Sequence, residues 1–110
     1  MKRSFAKLAT RLEAAFRPDA AVGLESVYQF RIGSEEPLHL RIQAGTLEVC
    51  AGRCPHPSLT MIFDDTDTAL GLLEGTVEPM TAFLEGRLKS DGNLILALQL
   101  IAAFRRSRDT

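Results

Sequence analysis

Apolar residues recur at different spacings along these 110 residues, and each change of spacing marks a new element. Phe5, Leu8, Leu12 and Phe16 stand three to four apart with Lys and Arg between them. That spacing predicts an amphipathic helix over residues 2–16, stopped by Pro18. The pattern then drops to period two. Tyr28, Phe30 and Ile32 form one run; Leu38, Leu40 and Ile42, around His39 and Arg41, form a second; Leu47 and Val49, around Glu48, form a third. Turn-forming "GSEEP" and "AG" separate the runs, so three antiparallel neighbours are expected. The longer loop "CAGRCPHP" leads into a fourth strand, "SLTMIF" at 58–63, whose nearly continuous apolar character predicts burial on both faces.

Helical spacing returns at "DDTDTALGLLEG". Asp64, Asp65 and Asp67 lie at its start, where carboxylates accept the unpaired N–H groups of the first turn, and Gly75 supplies a left-handed stop. "TVEPMTAFLEG" repeats this grammar, with Thr76 as cap, Pro79 in the first turn and Gly86 as the stop. "RLKS" predicts a short fifth strand, "DG" a tight turn, and Asn93 the cap of a last helix. The expected order is helix, four strands, two helices, strand, helix.

The last helix is unusual. From Leu94 to Phe104 ten residues are apolar and one, Gln99, is polar. Such a helix presents no stripe to water, so something must cover it on every side. A second copy of the chain, a membrane surface, or a ligand in an internal apolar cavity would each do so. Leu70, Leu72, Leu73, Met80, Phe83 and Leu84 also exceed what one stripe per helix needs, and flexible Met and Leu suit an adaptable pocket.

Composition narrows the field. The length fits a single domain, 1–110, with no internal boundary, and 45% apolar with 25% charged residues is an ordinary folded composition. The longest apolar run is well short of the ~20 residues of a membrane-spanning helix, and no apolar signal core opens the chain, so cytoplasmic residence is expected. Charge is divided. Lys2, Arg3, Lys7, Arg11 and Arg17 against Glu13 make the first segment +4; Arg105, Arg106 and Arg108 against Asp109 make the 105–110 tail +2; the middle is −7. Basic ends on an acidic body suit an anionic surface, with Lys2, Arg3, Lys7, Arg11, Arg105 and Arg106 as docking groups. They do not suit nucleic acid, which calls for a dominant basic face.

Chemistry-bearing residues are few. Cys50, Cys54 and His56 have the spacing of half a zinc site, but no second half follows, and His39 lies in a strand-like run, so no metal and no cofactor are expected. None of these four sits in a nucleophile elbow or a Gly-rich phosphate loop, so no enzyme activity is expected.

"GLLEGTVEPMTAFLEGRLKSDGNLILALQL" resembles the signature region of the sterol carrier protein type two domain family. Gly75, Pro79, Ala82, Phe83, Gly86, Leu88, Lys89, Gly92 and Leu96 stand where that pattern wants them. "RIQAGTLEV" is similar to the family's strand, turn at Gly45 and strand, and "PSLTMIF" to its fourth strand. The likeness covers residues 22–104. It implies an α+β fold: a five-stranded mixed, mainly antiparallel sheet with helices on one face, enclosing an apolar tunnel for sterols, fatty acids, fatty acyl-CoA or phospholipids. The chain ends in "RRSRDT" rather than a peroxisomal tripeptide, which favours a bacterial-type cytoplasmic member.

The reading that follows is a non-enzymatic carrier. Met80, Phe83, Leu84, Leu98, Ile101 and Phe104 are expected to roof the tunnel, with Leu70, Leu73, Met61 and Phe63 opposite. The ligand is a fatty acyl chain, phospholipid, sterol-like molecule or isoprenoid. Bacterial members of this family also suggest an accessory or scaffold factor presenting polyprenylated intermediates to ubiquinone-synthesising enzymes, or a homodimerising module. The expected partners are thus the lipid, an anionic membrane surface, and a second copy or lipid-modifying enzymes.

Overall fold

A computed structural model describes residues 3–33 and 35–104, with side chains from residue 5 onward. Helix α1 (Arg3–Ala15) is followed by a single 3-10 turn (Pro18–Ala21) that the sequence pattern did not suggest. Strands β1 (Ser26–Ile32), β2 (Leu38–Gln43), β3 (Thr46–Ala51) and β4 (Leu59–Phe63) come next. Helices α2 (Thr66–Glu74) and α3 (Pro79–Leu84), strand β5 (Leu88–Gly92) and helix α4 (Leu94–Phe104) complete the expected order. The fold is α+β, with a five-stranded mixed sheet and four helices.

The sheet order is β3-β2-β1-β4-β5. β1, β2 and β3 are antiparallel neighbours, as the short turns require, and β4 lies parallel to β1, pairing Phe30 with Met61 and Ile32 with Phe63. Period two puts Tyr28, Phe30, Ile32, Leu38, Leu40, Ile42, Met61 and Phe63 on one face, all buried. Leu8 and Leu12 of α1, Leu72 and Leu73 of α2 and Leu100 of α4 join them in one core cluster. The Phe30 and Phe63 rings pack at 5.1 Å.

Three expectations need correction. β4 is not buried on both faces: Thr60 and Ile62 are half-buried, because the helices cover the other side and the neighbours of Ile62 across the pairing are Arg31 and Lys89. Thr76 does not cap α3. Pro79 at the first helical position holds Glu78 extended, and the Glu78 carboxylate accepts the Thr81 N–H at 2.9 Å. Nor does "DG" turn the chain. Asp91 and Gly92 stay in β5, paired with Thr60 and Leu59, and the direction changes at Asn93, whose Oδ1 accepts the Ile95 N–H at 2.8 Å. With no Cβ, Gly92 can lie against Leu59 and remain in the ladder.

The acidic run caps α2 as expected. Asp65 Oδ1 accepts the Thr68 N–H at 2.8 Å, which holds the Asp65 carboxyl below its ordinary value, and Gly75 closes the helix at φ 91. Gly71 has a different role. Its carbonyl accepts the N–H groups of Gly75, Thr76 and Val77, and a Cβ there would stand 2.4 Å from Val77 Cγ2. Alanine is the better helix former by about 1 kcal/mol, yet it would have to displace this turn. Gly71→Ala is therefore expected to lower stability by about 1–3 kcal/mol in urea unfolding; a gain would mean that the turn yields freely.

Candidate functional site

The ten residues expected to line a tunnel separate into two sets. Met61, Phe63, Leu70, Leu73, Ile101 and Phe104 belong to the core cluster and are nearly inaccessible. Met80, Phe83, Leu84 and Leu98 are instead 59%, 54%, 75% and 57% exposed, and Leu94 and Ile95 join them at 61% and 62%. The last two were missing from the expected set, although the absence of a polar stripe in α4 was the signal for them. Exposure follows from geometry. α3 has only six residues and buries Ala82 alone, while the buried side of α4 is Ala97, Leu100, Ile101, Ala103 and Phe104. Both helices contact β5. Three large apolar side chains exposed on each of two helices is a high share for such short elements.

α4 is fastened most firmly at its far end. The Arg17 N–H donates to the Ala103 carbonyl at 2.8 Å, and the Phe16 ring meets Phe104 edge-on at 5.5 Å. On the flank of α4 that carries Leu96 and Gln99, a cleft of about 470 Å³ opens against residues 20–26 of the chain entering β1. A second, of about 420 Å³, runs from Ala15 to Thr76 past Phe104. Neither cleft was legible in the sequence, because each lies between segments distant in the chain.

Of the expected docking groups, Lys7 is exposed. Arg11 is engaged in a surface ion pair: its guanidinium donates to both carboxylate oxygens of Glu74 on α2, at 2.6 and 3.1 Å, and that hydrogen bonding raises its pKa. Lys2, Arg105 and Arg106, and the side chain of Arg3, lie outside the described residues.

The outer face of the sheet holds the cysteines and His39. The buried Gln29 side chain fastens the β3–β4 loop there, donating to the Leu38 carbonyl at 2.9 Å and accepting the Cys54 N–H at 2.6 Å. His39 Nδ1 lies 3.1 Å from the Gly52 carbonyl oxygen, and burial pushes the Cys50 thiol up in pKa, away from nucleophilic thiolate character. Among the described residues no hydrogen bond joins a cysteine to a histidine, and no group of three metal-capable side chains assembles.

Comparison with known structures gives the same architecture. The chain superposes with a TM-score of 0.75 on the sec-alkylsulfatase Pisa1 from Pseudomonas sp., at 18% identity over 86% of this chain but only 15% of that one. It therefore spans a small part of that enzyme. Sterol carrier protein domain 2 of Helicoverpa armigera gives 0.68 at 20% identity, covering 86% of this chain and 80% of that one. The UbiJ-SCP2 ubiquinone synthesis protein gives 0.66 at 15% identity, covering 89% and 86%. No curated protein matches in sequence. The fold class these share is the sterol-carrier type. At the level of sequence, the SCP-2 sterol transfer family matches residues 5–105, nearly the whole chain, and the chain belongs to that family.

Proposed function

We propose that this domain is a non-enzymatic carrier that holds the hydrocarbon part of a lipid beneath and beside α4. The observation that carries this reading is the exposure of Met80, Phe83 and Leu84 on α3 and of Leu94, Ile95 and Leu98 on α4. Family membership supplies the chemical class of the cargo. In the loaded state α4 shifts outward with Ile101 and Phe104, the ligand chain lies beneath and beside it, and Met61, Phe63, Leu70 and Leu73 form its floor. About a dozen methylenes at ~0.8 kcal/mol each amount to roughly 10 kcal/mol before ordering costs, enough for micromolar binding. Acyl chains, phospholipids, sterol-like molecules and isoprenoids all satisfy such walls.

No helix of the described residues is long and apolar enough to cross a membrane. Loading is proposed to occur at a membrane surface from a cytoplasmic pool because basic groups gather at both ends of the chain, with Lys7 and those groups meeting anionic headgroups. Association with anionic vesicles that added salt does not weaken would remove this docking step. A second reading, presentation of isoprenoid intermediates to quinone-synthesising enzymes, takes its motive from the fold shared with the UbiJ-SCP2 protein. Native mass spectrometry of freshly purified full-length protein tests both. Co-purifying acyl lipids support the general carrier and prenylated quinone precursors the second reading; a ligand-free dimer that excludes added lipid would replace both with a homodimerising module.

A further inference from the structure

The loop between β3 and β4 is tied to the outer face of the sheet along its length. The Gly52 N–H donates to the Pro37 carbonyl at 2.9 Å, the Ser58 N–H to the Val27 carbonyl at 2.7 Å, and the Ser58 hydroxyl accepts the Val27 N–H at 3.1 Å. Between these ends the Gln29 amide bonds Leu38 and Cys54. Gln29 is only 5% exposed, although it stands on the side of the sheet away from the helices. The loop wall and the outer sheet residues bound a cleft of about 240 Å³, whose lining includes Arg31 of β1, Thr60 of β4, Asp91 of β5 and Arg53 and Cys54 of the loop. Charge singles this place out. Residues 18–104 carry twelve acidic groups against five basic ones, yet four of those five, Arg31, Arg41, Arg53 and Lys89, belong to the outer face or its loop. Arg11, Arg17, Arg41 and Arg87 each pair with a carboxylate. Among the described residues Arg31 and Arg53 have no such partner, and both line the cleft.

We propose that this cleft binds a phosphate group, held by the guanidinium groups of Arg31 and Arg53 and by the Thr60 hydroxyl. A carboxylate is satisfied by one guanidinium fork, whereas two forks, one from β1 and one from the loop, suit an oxyanion with more acceptor oxygens and a second negative charge. Asp91 is the one acidic residue of the lining, so it opposes any bound anion and tunes how tightly the site holds it. The inference goes beyond the carrier reading and does not rest on it. Leu100 of α4 joins the core on the inner face, so the sheet stands between this cleft and the proposed cargo. The phosphate belongs to a soluble metabolite or to a lipid head group at a membrane surface, two sources with the same chemistry.

The experiment follows the backbone amide resonances of the isotopically labelled full-length protein as inorganic pyrophosphate is added. In the wild type, binding is expected to shift Arg53, Cys54 and Thr60. Arg31→Gln and Arg53→Gln should each weaken it about tenfold, and Asp91→Asn should tighten it about threefold. Arg41→Gln removes the same unit of charge from the outer face but lies outside the cleft, so it should change affinity by less than about twofold. All four side chains are exposed, so the fold should tolerate each change. Sedimentation with phosphatidate vesicles separates the two sources. Co-sedimentation that Arg53→Gln abolishes assigns the head group; co-sedimentation indifferent to that change, or none, assigns a soluble ligand, and either agrees with the site. No pyrophosphate binding, shifts confined to other parts of the molecule, an equal loss in Arg41→Gln, or no gain in Asp91→Asn would each overturn the site and leave the carrier reading standing.

Discussion

Phe104→Ala is expected to lower the unfolding free energy by about 3–5 kcal/mol, the range for emptying an aromatic site in a closed core. The side chain is fully buried and is the last residue of α4, meeting Phe16 edge-on where the chain leaves α1. Its loss removes apolar burial, the aromatic contact and the packing that supports the Arg17 to Ala103 hydrogen bond. Phe104→Leu should cost much less, since most of the volume is kept. Urea unfolding of both variants measures the difference; if the alanine variant lost less than about 1 kcal/mol, the ring would not be the fastening of α4 that its contacts describe.

Leu98→Asp and Phe83→Ser should do the opposite: leave stability almost untouched and weaken lipid binding. Both side chains are more than half exposed in the ligand-free protein, so replacing them should change stability by no more than about 0.5 kcal/mol. On binding, each would bury its remaining exposed half, worth about 0.8–1.7 kcal/mol, so each substitution should weaken affinity for an acyl chain about 4- to 20-fold. This contrast with Phe104 is the sharpest test of the proposed site, because one fold presents both kinds of apolar residue on neighbouring turns. Affinities equal to wild type in both variants would take α3 and α4 out of the ligand's path.

Much of this molecule can be read from local patterns. Phe5, Leu8, Leu12 and Phe16 announce α1, and Asp65, Gly75, Pro79 and Asn93 mark helix ends through hydrogen bonds that reach only a few residues. The site was legible only in part. An excess of apolar side chains in α3 and α4 showed that some of them lack cover, but not which. Phe104 and Leu98 are both apolar members of one apolar helix, and only the packing of α4 on β4 and β5 puts the first inside and the second outside. Spacing along a helix gives the angle between two side chains, not the direction of the core.

Local patterning settled the order of the α-helices and strands, the inner faces of β1 and β2, the caps of α2 and α4, and the surplus of apolar surface near the C-terminal end. The assembled fold decided that β4 pairs parallel to β1, that Arg11 is held by Glu74 and that Ile62 stays half-covered. The division has one physical reason. Backbone propensity and capping act over about one helical turn, whereas pairing, burial and ion pairing depend on which distant segments the whole chain brings together.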